Sequence, residues 1–232
     1  ADFDLAIEAV PERLPLKREL LRSYQPLLPA HAVWATATSA MPVHEIAAGA
    51  PDASRVVGMH FLPPVERSAL VEIVADRHTA PGIRESLRLL VLVAGRTLLC
   101  VRDSPGFLTT RVLSAYFAEA LRLVREGVPV RTIDAAAERF GFARGPLRML
   151  DAIGLDVAAD VGRFLARYGH AATSDPLASL VRAGVLGRKN GAGFYRYDGT
   201  RMRPNPVGAE ILGPGAPRSG AATYVTHGLV CA

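Results

Sequence analysis

The feature that most constrains the fold is a change of hydrophobic period at Ser104-Pro105-Gly106. Before this breaker, short apolar runs alternate with amphipathic stretches. The runs at 5–10, 32–37, 56–61, 70–74 and 97–102 have the length and the β-branched content of buried strands. Between them, 15–27 and 81–94 carry a helical period, each opening on a proline, and the second is stopped by Gly95. Strands alternating with helices predict a parallel α/β sheet. After the breaker the period is helical throughout. Val112, Tyr116, Phe117, Ala120, Leu121 and Val124 form a stripe that ends at Gly127, and further helices are expected at 131–140, 146–152, 156–168 and 176–183. The expected organisation is therefore a sheet domain over 1–105 and an all-α domain over 106–198. Residues 199–232 are rich in Gly, Pro and Arg without periodicity, and are expected to be a tail or linker.

Composition narrows the function classes. With 232 residues, 50% of them hydrophobic, the chain can bury a substantial core. The net charge of +5 favours anionic partners. The arginines are dispersed and aromatic residues amount to only 6%, so no basic stripe for nucleic acid emerges. Phosphorylated cofactors and acyl carriers such as CoA suit that charge. Apolar runs fall short of the roughly 18 residues of a membrane span. Nothing at the N-terminus reads as a signal peptide. Cys100 and Cys231 form neither a disulfide framework nor a metal-ligand spacing, so no metal and a reducing, cytoplasmic setting are expected. The chain enters its first strand almost at Ala1, which reads as a fragment of a larger domain.

Three phrases carry the chemistry. The first is Gly58-Met59-His60-Phe61-Leu62-Pro63-Pro64, followed by Glu72 in the next strand. Residues at strand ends of an open α/β sheet line the ligand crevice. A carboxylate beside an imidazole fixes its tautomer and stabilises the cation formed when it accepts a proton. His60 and Glu72 are thus a candidate pair, although from spacing alone a core histidine and an ordinary strand residue are the commoner reading. The second phrase is Asp103-Ser104-Pro105-Gly106-Phe107-Leu108-Thr109-Thr110-Arg111, and the third is Gly187-Arg188-Lys189-Asn190-Gly191-Ala192-Gly193-Phe194-Tyr195.

In their order and spacing these phrases, with the stretch Phe140 to Asp156, resemble the 3-hydroxyacyl-CoA dehydrogenase family over residues 2–197. The nearest flavour is the dehydrogenase module of bacterial fatty-acid oxidation α subunits. The resemblance implies a Rossmann-like parallel sheet, lacking its N-terminal part, with an all-α domain behind it. It also implies NAD as cofactor, an acyl-CoA substrate and oxidation of 3-hydroxyacyl-CoA to 3-ketoacyl-CoA in β-oxidation. His60 is then the general base, Glu72 its partner and Ser39 the hydrogen bond to the substrate oxygen. Thr110 is a further substrate contact, and Glu12, Lys17 and Ser39 lie on the nicotinamide side of the cofactor. The helical domain would offer surface for a homodimer or a multienzyme complex.

The chain departs from the family's pattern at Ala37, Pro63 and Thr110, where the family usually has asparagine. Each change removes an amide that both donates and accepts. No G-x-G-x-x-G occurs in the chain. The helix N-terminus that would hold a pyrophosphate is then expected ahead of Ala1, and the isolated chain is expected to turn over little NAD. These departures set up the competing expectation of a truncated or degenerate homologue that acts as a binding or assembly module without turnover.

Overall fold

The computed structural model describes residues 3–63, 65–66, 68–170, 174–213 and 229. It divides into two compact units, 1–110 and 111–232. The first runs β1 (Leu5–Glu8), α1 (Leu14–Tyr24), β2 (Val33–Thr36), α2 (Val43–Ala47), β3 (Val56–Phe61), β4 (Leu70–Ala75), α3 (Pro81–Val93) and β5 (Thr97–Arg102). The sheet order is β1-β2-β3-β4-β5. All neighbours are parallel except β3 and β4, which pair antiparallel. The exception has a simple cause. Only residues 62–69 join those two strands, and a parallel crossover takes a dozen residues or more.

The central strands are apolar on both faces, as burial between two layers requires. Val57, Met59, Val71 and Ile73 are buried together with Ala35, and Leu87 and Val91 of α3 pack onto them. Gly58 lies between Val43 of α2 and Val74 of β4, where a Cβ would come within 2.8 Å of each. Its lack of a side chain lets α2 rest on the sheet two residues before His60, on the same face. That short helix was invisible in the sequence. The carboxylate of Asp103, sixty residues away, accepts the Val43 and His44 N–H groups at 2.7 and 2.8 Å. α1 stops earlier than its periodicity predicts because Pro26 lacks the N–H needed to continue, and 25–27 tighten into a 3-10 turn.

The second unit contains α4 (Thr109–Arg125, whose first two residues count with the sheet unit), α5 (Val130–Phe140), α6 (Pro146–Ile153), α7 (Leu155–Ala166) and α8 (Ser174–Arg182). An antiparallel hairpin, β6 (Tyr195–Asp198) with β7 (Arg201–Pro204), precedes α9 (Pro206–Leu212). The unit is thus helical, as expected, with a two-stranded hairpin added to it. The stretch after Gly199 also differs from expectation. Through residue 213 it carries β7 and α9, and Val207, Ile211 and Leu212 pack on the core formed by Leu121, Leu123, Ile133, Leu147, Leu150 and Phe194. Of the remainder only Leu229 is described, and it is buried in that core.

The third phrase closes this unit. The buried carboxylate of Asp151 accepts the N–H groups of Phe194 and Tyr195 at 2.8 and 2.9 Å, and the Tyr197 hydroxyl at 2.9 Å. Asp134 does the same for Leu147, Arg148 and the Tyr195 hydroxyl. Burial pushes both carboxyls up to about 6, although each hydrogen bond acts in the opposite sense. This phrase is structural.

Candidate active site

His60 and Glu72 face each other across β3 and β4 as register partners. The imidazole Nδ1 lies 2.6 Å from Glu72 Oε2, and the side chains are 4% and 0% exposed. An ionised carboxylate only accepts, so Nδ1 carries the proton and Nε2 presents its lone pair. Nε2 has no hydrogen-bond partner among the described residues. The Phe107 ring stands beside the imidazole, with centroids 5.9 Å apart.

Four donors converge on Glu72. Besides His60, Oε1 accepts the Leu108 and Thr109 N–H groups at 3.1 and 3.0 Å, and Oε2 accepts the Thr109 hydroxyl at 2.6 Å. Burial alone would raise this carboxyl, but the bonds from His60 and Thr109 outweigh it and hold it below the ordinary glutamate range. Glu72 therefore also caps the first turn of α4. The turn that brings those N–H groups round is sharp. Gly106 has φ +72° and Phe107, unusually for an aromatic residue, +50°. Burial of the Phe107 ring, only 2% exposed, and the bond from Gly106 N–H to Ala40 O hold it there.

The other expected residues gather at the carboxyl ends of β1 and β2. The Glu12 carboxylate accepts the Thr38 hydroxyl at 2.9 Å and the Ser39 N–H. The Ser39 hydroxyl has no partner among the described residues, whereas its carbonyl accepts the Thr110 hydroxyl at 2.8 Å. Thr110 thus braces the Ser39 loop, while its neighbour Thr109 braces Glu72. One helical turn ties both groups. Lys17 is not the exposed first-turn charge that its position on an amphipathic helix suggests; it is 1% exposed. Its ammonium donates to both oxygens of Glu8 (3.0 and 3.1 Å) and to Val10 O (3.0 Å), with Glu12 3.7 Å away. Thr36 donates to the same Glu8 carboxylate.

Glu8, Thr38, Phe107 and Thr109 were not among the residues expected at the site. Glu8 alone gave a sequence signal, as a charged residue inside an apolar strand. Ala37 and Pro63 sit at the ends of β2 and β3; Pro63 is exposed, and Ala37 is held by its backbone bond to Glu8 O.

A mostly parallel sheet that carries a buried imidazole–carboxylate pair at its strand ends, ahead of a helical unit, is the plan of a nicotinamide-dependent dehydrogenase. Comparison with known proteins makes this specific. Residues 1–104 match the 3-hydroxyacyl-CoA dehydrogenase NAD-binding domain, and 106–197 match the 3-hydroxyacyl-CoA dehydrogenase C-terminal domain. Similar solved structures include FadB2 from M. tuberculosis (31% identity, 85% of this chain and 72% of that one, TM-score 0.75). Another is the 3-hydroxybutyryl-CoA dehydrogenase of Escherichia coli K12 (34%, 85% and 43%, TM-score 0.74). A third is the (S)-3-hydroxybutyryl-CoA dehydrogenase of Ralstonia eutropha (31%, 84% and 71%, TM-score 0.73). The chain belongs to the 3-hydroxyacyl-CoA dehydrogenase family of NAD-dependent oxidoreductases. No helix among the described residues is long and apolar enough to cross a membrane.

Proposed function

We propose that this chain provides the proton-transfer site for oxidation of a 3-hydroxyacyl-CoA to the 3-ketoacyl-CoA, a step of fatty-acid β-oxidation, in the cytoplasm. The observation that carries the reading is the His60–Glu72 pair, 2.6 Å apart, whose Nε2 has no hydrogen-bond partner among the described residues. In this role His60 Nε2 takes the proton of the C3 hydroxyl as the C3–O bond becomes a carbonyl. The imidazolium so formed is stabilised by the Glu72 carboxylate and passes the proton on to solvent. The free Ser39 hydroxyl donates to the same substrate oxygen.

NAD, when bound, supplies the acceptor for the C3 hydride. The residues present fit its nicotinamide end. Glu12 is an acceptor held in place by Thr38 and Ser39 N–H, and its side chain is still 18% exposed, so it can receive a ribose hydroxyl or carboxamide donor. The three N–H bonds of Lys17 are taken up internally. We therefore assign Lys17 to positioning Glu8 and Glu12 rather than to direct contact. Thr110 likewise supports Ser39 instead of replacing the family's asparagine amide. Exposed Val112, Phe140 and Phe142 support self-association through the helical unit.

The test is His60→Gln in the intact protein, with NADH formation from 3-hydroxybutyryl-CoA followed by absorbance. We expect kcat to fall about 10²–10⁴-fold with NAD affinity retained. Unchanged kcat would remove His60 from the reaction. Absence of turnover in the wild-type protein, with CoA esters still bound, would favour a binding or assembly module.

A further inference from the structure

We propose that Thr109 is a positioning residue that sets the proton affinity of His60 through the oxygen the two share. This rests on the reading of His60 and Glu72 as the proton-transfer pair. Glu72 Oε2 accepts both the His60 Nδ1–H and the Thr109 hydroxyl, each at 2.6 Å, in a site with 0% exposure at the carboxylate. The two N–H bonds on Oε1 are fixed by the fold, because they come from the backbone of the α4 turn. The Thr109 hydroxyl is the one side-chain donor among these bonds that a substitution can remove without moving the backbone.

A second strong donor on Oε2 draws on the electron density that would otherwise be offered to the imidazolium. A charge-assisted bond is weakened when its acceptor is shared, and buried bonds polarise one another strongly. The Thr109 hydroxyl therefore favours the neutral imidazole and keeps Nε2 available as a base at lower pH. Other charges do not account for this coupling. Among the described residues the carboxylate's one ion-pair partner is His60. Asp103 of the turn and His44 of α2 are paired with each other at 2.6 Å, and Glu45 of α2 and Arg111 of α4 form no ion pair with Glu72. Gly58 and Val43, which pack beside the pair, carry no charge.

The experiment is an NMR titration of the imidazole ring protons in the intact protein, with the His60 signal identified by its loss in His60→Gln. Thr109→Val keeps the β-branched shape and deletes only the hydroxyl. It should raise the His60 midpoint by about half a pH unit or more, and the Nδ1 proton should move downfield as its bond strengthens. Thr109→Ser restores the hydroxyl and should return the wild-type midpoint. Should the valine disturb α4, Thr109→Ala reads the same coupling. A His60 midpoint in Thr109→Val and Thr109→Ala equal to wild type would overturn the proposal. The readout needs no turnover, so it is independent of whether His60→Gln abolishes activity. A purely structural role would lower stability and leave the midpoint where it is.

Discussion

Replacing Glu72 by glutamine tests the site at its most connected atom pair. The substitution preserves volume but converts an acceptor-only group into one oxygen and one NH2. The backbone N–H groups of Leu108 and Thr109 demand that the oxygen keep the Oε1 place, since both would otherwise be left unmatched. The NH2 then faces His60 Nδ1, which can accept only if the ring proton moves to Nε2. His60 becomes the wrong tautomer for a base. We expect kcat to fall about 10²–10⁴-fold, equivalent to about 3–5 kcal/mol of barrier, with KM changed much less.

The same change weakens the cap on α4. Two backbone bonds lose their charged acceptor, at about 1 kcal/mol each, so denaturant unfolding at neutral pH should show a deficit of about 2 kcal/mol. The pH dependence separates this from a packing fault. The folded pKa of Glu72 is held below its ordinary 4.5, so its charge contributes stability above that value and loses it as pH falls through the folded pKa. Wild type and Glu72→Gln should therefore converge at acid pH. A kcat within threefold of wild type, or a stability gap that persists undiminished into that acid range, would refute the reasoning.

Three further outcomes follow from the buried polar groups. Lys17→Met leaves the Glu8 carboxylate buried against Thr36 with no cation, and should cost about 3–5 kcal/mol in chemical denaturation; a loss under about 1 kcal/mol would show that the pair is dispensable. Gly193→Ala would place a Cβ 1.9 Å from Asp151 Oδ1 and displace that carboxylate from Phe194 and Tyr195 N–H. Hydrogen exchange should then report loosening in the helical unit and none in the sheet unit, and equal loosening in both would contradict this. Asp134 and Asp151 have folded pKa values of about 6 against an ordinary 3.8, so the folded unit holds their protons more tightly than the unfolded chain. Its stability should fall as pH rises between those values, by on the order of 2–3 kcal/mol per carboxyl; a midpoint for the helical unit that is flat or rises from about pH 4.5 to about pH 6.5 would count against it.

The fold was legible where hydrophobic period alone decides structure. The five strands and the period switch at Ser104-Pro105-Gly106 stand close to their expected places, and the central strands, buried on both faces, are apolar almost throughout. What escaped was whatever depends on a distant partner. α2 exists because Asp103 caps it, and no local pattern in five residues announces a carboxylate sixty positions on. The β6–β7 hairpin and α9 are polar and Gly/Pro-rich on one side. Their apolar residues reach the core beside Phe194 and Tyr195, whose N–H groups the distant Asp151 carboxylate accepts.

At the site, the sequence led to His60 and Glu72 only through the resemblance carried by the phrases around them, because a histidine and a glutamate on two strands are more often ordinary core and strand residues. Thr110, aligned with a substrate contact, turned instead to the Ser39 carbonyl, and Lys17 turned inward to Glu8. Both outcomes have one physical origin. A short hydroxyl or a buried ammonium takes the nearest strong acceptor, and here that acceptor belongs to the protein. The family's asparagine at the Thr110 position would carry two donors and an acceptor; the threonine has one donor and spends it on Ser39 O. The consequence is a site whose two halves, the base pair and the Ser39 loop, are bound to successive residues of one helical turn. Movement of that turn would change the proton affinity of His60 and the placement of Ser39 together.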